Sequence, residues 1–166
     1  FGIDAVNEFD DLTDDIYDYC EILKIGVDTL IHESGPSQIE INLNHGDPLQ
    51  LADQAFMFKR AVRQVALKHG IHATFMSKPY QGHPGSSMHI HQNIISKKTN
   101  KNLFSDENGN NTEEFFHFIG GLQTYLPDAM LFFAPYVNSY RRFVIDASAP
   151  INTHWGFENR TVAFRI

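Results

Sequence analysis

Apolar side chains recur at helical spacing from Asp11 to Lys24, through Ile16, Cys20 and Leu23, with Thr13 available as a cap and Gly26 beyond the end. A first helix is predicted there. Val27 to Glu33 and Gln38 to Asn44 alternate as strands and are separated by Ser34, Gly35, Pro36 and Ser37, residues with turn chemistry, so a hairpin is expected. Asp47 before Pro48 is a strong helix start, since the aspartate caps free backbone amides and proline at the first helical position has no amide to leave unpaired. Leu51, Ala55, Phe58, Val62 and Val65 carry the apolar stripe to His69, where Gly70 ends the longest helix.

Beyond it, Ile71 to Met76 reads as a strand, and after the glycine-, proline- and serine-rich loop Gln81 to Ser87 another runs from Met88 to Ile95. A polar loop, Ser96 to Asn111, leads to a helix from Thr112 to about Tyr125 with Phe115, Ile119 and Leu122 inward. Pro127 breaks it. A short helix, Asp128 to Phe133, a loop-rich stretch and a last strand, Thr161 to Ile166, complete the chain. Strands paired locally, with one long helix between hairpin-like pairs, predict an α+β fold, mainly antiparallel sheet with packed helices.

The 166 residues, 42% hydrophobic and 20% charged, fit one domain. A net charge of −7 repels phosphate backbones and anionic lipid, so neither a nucleic acid nor a membrane surface is expected as partner. The longest apolar run, Ala129 to Val137, is about half of the roughly 20 residues that a spanning helix needs. A single cysteine, Cys20, and no leader pattern point to the cytoplasm. The opening at Phe1 and the alternation that stops at Ile166 suggest a piece of something longer.

Alternation places Ile39, Ile41 and Leu43 on one face of their strand and Gln38, Glu40, Asn42 and Asn44 on the other. The hairpin brings Glu33 beside Glu40, and two close carboxylates suit a hard divalent cation. In the strand Met88 to Ile95, His89, His91 and Asn93 project together; a His-x-His pair also occurs in zinc sites, but no third ligand is evident nearby. Gly85, Ser86 and Ser87 allow backbone amides to approach an anion. Arg141, Arg142, Arg160 and Arg165 gather near the end of an acidic chain, and their forked guanidinium groups match carboxylate and phosphate. These patterns describe a metal-dependent site handling anions, without naming a reaction.

Read together, Glu33-Ser-Gly-Pro-Ser-Gln-Ile-Glu40, Lys78-Pro79, Gly85-Ser-Ser-Met-His89-Ile-His91, Asn138-Ser-Tyr-Arg-Arg142-Phe and Asn159-Arg160 to Arg165 resemble, in order and spacing, the catalytic domain of glutamine synthetases. The resemblance implies a glutamine synthetase-type fold over residues 1–166, the amino-terminal β-grasp domain and the carboxy-terminal remainder lying outside it. It implies phosphorylation of glutamate by ATP to a γ-glutamyl phosphate, which an amine nitrogen attacks, with two divalent cations, Mg2+ or Mn2+. Glu33 and Glu40 then correspond to ligands of one cation and His89 to a ligand of the second. Gly85 corresponds to a loop contact to glutamate, Arg142 to the fork for its α-carboxylate, Arg160 to the group facing the phosphoryl, and Arg165 to an ATP-phosphate contact. His91, Asp28 and Asn93 fall on the nucleotide side. Active sites between subunits of a double-ring homo-oligomer are implied as well.

Two departures shape the substrate expectation. Where glutamine-forming members carry a glutamate before Ala-Pro, this chain has Ser148, and where they place asparagine before the loop glycine it has Pro84. Lys78-Pro-Tyr, Gly85-Ser-Ser-Met-His89-Ile-His91 and Trp155-Gly-Phe-Glu-Asn-Arg160 are similar to the glutamate-putrescine ligase (γ-glutamylpolyamine synthetase) branch. An organic amine such as putrescine is therefore the expected acceptor. An ammonia-using glutamine synthetase and a non-catalytic structural or regulatory member are the alternatives, while a zinc hydrolase on His89 and His91 lacks a third ligand.

Overall fold

The computed structural model describes residues 8–145 and 149–166, in two compact units. The first runs through Phe75 and includes Gly82–Pro84; the second holds Met76–Gln81 and Gly85–Ile166.

In the first unit the elements are α1 (Asp10–Ile22), β1 (Val27–His32), β2 (Ile39–Leu43) and α2 (Pro48–Lys68). Asp47 Oδ1 accepts hydrogen bonds from the amides of Leu49 (3.0 Å) and Gln50 (3.2 Å), so the aspartate–proline start forms as expected. Leu12, Ile16 and Cys20 of α1 and Val65 and Ala66 of α2 are buried together with Ile25. Burial raises the pKa of the Cys20 thiol. At the rim His69 Nε2 lies 2.8 Å from Asp15 Oδ2, and Lys68 donates to the hydroxyl of Tyr19.

The hairpin is antiparallel, with Leu30 opposite Ile41, Ile31 opposite Glu40 and His32 opposite Ile39. A register shift between Val27 and Leu30 gives β1 one extra residue, so both side chains meet core-facing partners, Leu43 and Ile41, despite their odd spacing. Val27, Ile41 and Leu43 pack on the helical core. Ser37 closes the turn in the left-handed region (φ 50°), and the Gln38 side chain accepts from the Gly35 amide at 3.0 Å.

Ile71 to Met76 is not a strand. Its side chains cross α2 instead: Ala73 joins the core, and the Phe75 ring meets Phe58 edge-on at 6.4 Å and receives the Arg63 guanidinium at 5.1 Å. Packing on a helix replaces the ladder that the alternation suggested.

The second unit contains α3 (Glu113–Tyr125), α4 (Met130–Phe133), α5 (Val137–Tyr140), β3 (Trp155–Gly156) and β4 (Phe164–Arg165). Thr112 caps α3 by accepting from the Phe115 amide. Phe104, Phe115 and Ile119 form an aromatic core with Phe118, Leu122, Trp155, Phe164 and Ile166 around it. The Phe104 and Phe115 rings meet edge-on at 5.7 Å.

Two strand expectations fail in this unit. Met88 to Ile95 makes no ladder except the bridge of Ile95 to Asn102, because only its end finds a backbone partner among the described residues. The last strand shrinks to Phe164–Arg165, paired in parallel with Trp155–Gly156, because Asn159 Oδ1 accepts from the amide and hydroxyl of Thr161 and holds that end in a turn. The short helix begins at Met130, and the unforeseen turn α5 follows Pro135. Among the described residues the strands form one antiparallel and one parallel pair, less sheet than the mainly antiparallel arrangement expected. No helix of the described residues is long and apolar enough to cross a membrane.

Ile16→Ala is expected to cost about 2–5 kcal/mol by emptying the α1–α2 core, against about 1 kcal/mol for loss of the Asp47 cap in Asp47→Ala. Urea unfolding of the two variants checks the order.

Candidate active site

Two groups of candidate residues are built by different local devices. On the hairpin, the register places Glu40 opposite Ile31, and the Glu33 amide donates to the Gln38 carbonyl at 2.8 Å. Directly opposed residues share a face, so Thr29, Ile31 and Glu33 of one arm face the same way as Gln38, Glu40 and Asn42 of the other. The hydrogen bond from Asn42 Nδ2 to Thr29 Oγ1 (2.8 Å) runs across this face. Glu33 and Glu40 are therefore diagonal neighbours on the side away from the core, and Glu33 also accepts from the Ser34 amide. Two carboxylates on one face fit part of the oxygen ligand set of a hard divalent cation. Among the described residues no group of three or more His, Cys, Asp and Glu side chains is arranged to hold a metal ion. Asp28 is exposed, at the bulge of β1.

In the second unit three sequence motifs meet. The amide and carbonyl of Lys78 are both engaged by Asn138: Oδ1 accepts from Lys78 N at 2.7 Å and Nδ2 donates to Lys78 O at 2.9 Å. Ser77 Oγ and the buried Ser139 Oγ are 3.1 Å apart. The Ser77 carbonyl accepts from the Ser86 amide at 2.9 Å. Gly85 lies so close that a Cβ built on it would stand 2.4 Å from Ser77 O and 2.9 Å from Arg142 Nε. Only glycine fits this approach. Arg142 is partly buried, and burial lowers its pKa from the ordinary arginine value while leaving it cationic at neutral pH. A guanidinium that has lost part of its water beside a glycine backbone has the fork geometry and charge that match a carboxylate.

The remaining candidates stand apart from this contact. His89, His91 and Asn93 lie in the second unit on an exposed segment, and Asn93 Oδ1 accepts from Asn102 Nδ2 at 3.3 Å. Arg165 sits on β4 between Phe164 and Ile166, both packed on the aromatic core, and is itself exposed, on the opposite side of the alternation. Arg160 is exposed in the loop before β4, flanked by Glu158 in the left-handed region (φ 49°) and by the Asn159 turn. Ser148, the expected determinant of the acceptor, lies outside the described residues. Ser77, Ser139 and the side chain of Asn138 receive no role from sequence patterns, although Asn138 and Ser139 open the stretch Asn138-Ser-Tyr-Arg-Arg142-Phe. Their signal is contact across sixty residues of chain, between Lys78 and Asn138, which spacing alone does not carry.

A family model described as "Glutamine synthetase, catalytic domain" matches residues 1–166, and the chain belongs to that family. It is similar to the gamma-glutamylputrescine synthetase PuuA of Escherichia coli, 42% identical over 169 residues, covering 100% of this chain and 35% of that protein. It is also similar to type-1 glutamine synthetase 2 of Dictyostelium discoideum, 43% identical over 136 residues with 81% and 26% covered, and to a glutamine synthetase of Pyrococcus horikoshii, 37% identical over 166 residues with 100% and 37% covered. The chain thus spans about a third of the length of these relatives. Among solved structures it is similar to "Apo GmaS without ligand", TM-score 0.85 and 31% identity, covering 100% of this chain and 39% of that one. A "GmaS/ADP complex" matches with TM-score 0.86 and 32% identity, over 99% and 40%. The glutamine synthetase catalytic-domain fold and the family resemblance read from the motifs are both borne out.

Gly85→Ala is expected to destabilise by about 1–3 kcal/mol through overpacking against Ser77 and Arg142. Gly120→Ala in α3, where an added Cβ meets nothing within 4 Å, is expected to stabilise by up to about 1 kcal/mol. Thermal melting of both variants tests this contrast.

Proposed function

We propose that the protein carrying this chain is an ATP-dependent carbon–nitrogen ligase that joins the γ-carboxylate of glutamate to an amine, putrescine or a similar one, through a γ-glutamyl phosphate. The observation that carries this reading is the approach of Gly85 to the half-buried Arg142, which makes a carboxylate receiver out of two family motifs. Similarity to the gamma-glutamylputrescine synthetase over the whole chain supports the amine as acceptor.

In this mechanism Arg142 takes the α-carboxylate of glutamate bidentately, and the Gly85 backbone orients the rest of the amino acid. Held in this way, the γ-carboxylate is presented to the terminal phosphoryl group of ATP. Arg165 holds ATP phosphate, and Arg160 stabilises charge on the transferred phosphoryl oxygens. Glu33 and Glu40 would hold one divalent cation and His89 a second; Mg2+ or Mn2+ would supply neutralisation of phosphate charge. His91, Asn93 and Asp28 would lie toward the nucleotide. The amine nitrogen then attacks the acyl phosphate, its C–N bond forming as the C–O bond to phosphate breaks, and amide, orthophosphate and ADP leave. Ammonium must be held as a cation and lose a proton before attack, tasks a carboxylate performs and the hydroxyl of Ser148 does not. Serine is also smaller than glutamate and leaves room for an alkyl chain. The site would sit in a cytoplasmic double-ring homo-oligomer, with residues 1–166 as part of its catalytic domain.

The full-length protein is expected to release ADP in a glutamate-dependent reaction with a higher kcat/KM for a mono- or polyamine than for ammonium. Ser148→Glu is expected to shift that preference toward ammonium. A coupled ADP assay over an amine panel decides it: efficient glutamine formation with no gain from any organic amine would refute the amine reading.

A further inference from the structure

The contacts around Gly85 form a closed circuit. Asn138 clamps Lys78 through two hydrogen bonds of opposite sense, at 2.7 and 2.9 Å. The neighbouring Ser77 carbonyl takes the Ser86 amide, which fixes Gly85 against Arg142. From Arg142 the chain returns to Asn138 through one turn, closed by Arg141 N to Asn138 O and Arg142 N to Ser139 O, each 3.2 Å. The side chain at one end of the turn thus grips the segment that positions the partner of the side chain at the other end.

We propose that Asn138 is a positioning residue for the carboxylate receiver, acting through the Lys78 backbone to hold Gly85 against Arg142. The consequence for glutamate rests on the ligase reading above; the clamp itself does not. Both Oδ1 and Nδ2 of Asn138 bond the Lys78 backbone, and the gripped segment is the route by which Asn138 acts on Gly85. The chemistry is specific to an amide. Aspartate keeps the acceptor for Lys78 N but sets a carboxylate against the Lys78 carbonyl, and alanine leaves both backbone groups without these bonds. The clamp is partly buried, where lost hydrogen bonds are poorly replaced by water.

The test uses the full-length protein with Asn138→Ala and Asn138→Asp, in two readouts. Hydrogen exchange is expected to quicken in peptides spanning residues 77–87 and to stay unchanged in the hairpin, with Asn138→Asp intermediate. In steady-state kinetics, KM for glutamate is expected to rise by about tenfold or more, as small misplacements of a binding group do, while KM for ATP stays within about twofold. Should the alanine variant not fold, the aspartate variant carries both measurements. Unchanged exchange at residues 77–87 would overturn the clamp. So would an equal rise of both KM values with a fall in melting temperature, which marks a merely structural residue. A wild-type protein without glutamate-dependent ADP release would overturn the ligase reading, and the exchange data then decide the clamp alone.

Discussion

A glycine pressed between a carbonyl oxygen and a guanidinium is the constraint around which Ser77, Ser86 and Arg142 are arranged. With 2.4 Å from an imagined Gly85 Cβ to Ser77 O, no side chain is compatible with the approach. The approach commits the Ser86 amide to Ser77, brings Ser77 beside Ser139 and leaves Arg142 partly stripped of water. A cation in that state gains more from an anion than an exposed one does, since solvent screens the pair less. The aromatic core of Phe104, Phe115 and Ile119 gives β3, β4 and Arg165 their own support. The first unit does the equivalent with aliphatic packing, Ile16 and Val65 carrying a hairpin whose outer face bears Glu33 and Glu40.

What was legible in the sequence followed from interactions local to it. Asp47-Pro48 marks a helix start because the cap lies within three residues of the amides it serves, and α2 begins there. The alternation of Ile39, Ile41 and Leu43 against Glu40 and Asn42 survives because a neighbouring arm, one turn away, supplies the ladder. Met88 to Ile95 alternates just as clearly and forms no such ladder, since a strand is a property of a pair and its pairing is not written within it. The same holds for Ile71 to Met76, where Phe75 finds a helix face instead.

For the candidate site, the chemistry was readable as residue type and motif, whereas the contacts were not. Gly85 and Arg142 belong to motifs far apart along the chain, and their approach depends on Lys78 and Asn138, residues whose composition suggests nothing but a basic surface and a turn. A backbone grip leaves no trace in charge or hydropathy, because the gripped partner contributes only its peptide group. The arginines were easier: Arg165 between Phe164 and Ile166 declares its outward direction by alternation alone.

The bulge in β1 carries a consequence for how this hairpin varies over evolutionary time. One surplus residue between Val27 and Leu30 has already been absorbed there, with Val27 still opposite Leu43 and Leu30 opposite Ile41. From Leu30 to the turn no such slack exists, because side chains alternate and a single inserted or deleted residue reverses the facing of every position between the change and the turn. Length changes in related chains should therefore collect upstream of Leu30 or within the loop of Ser34 to Ser37, and the spacing from Leu30 to Glu33 should stay fixed even where the residues themselves drift.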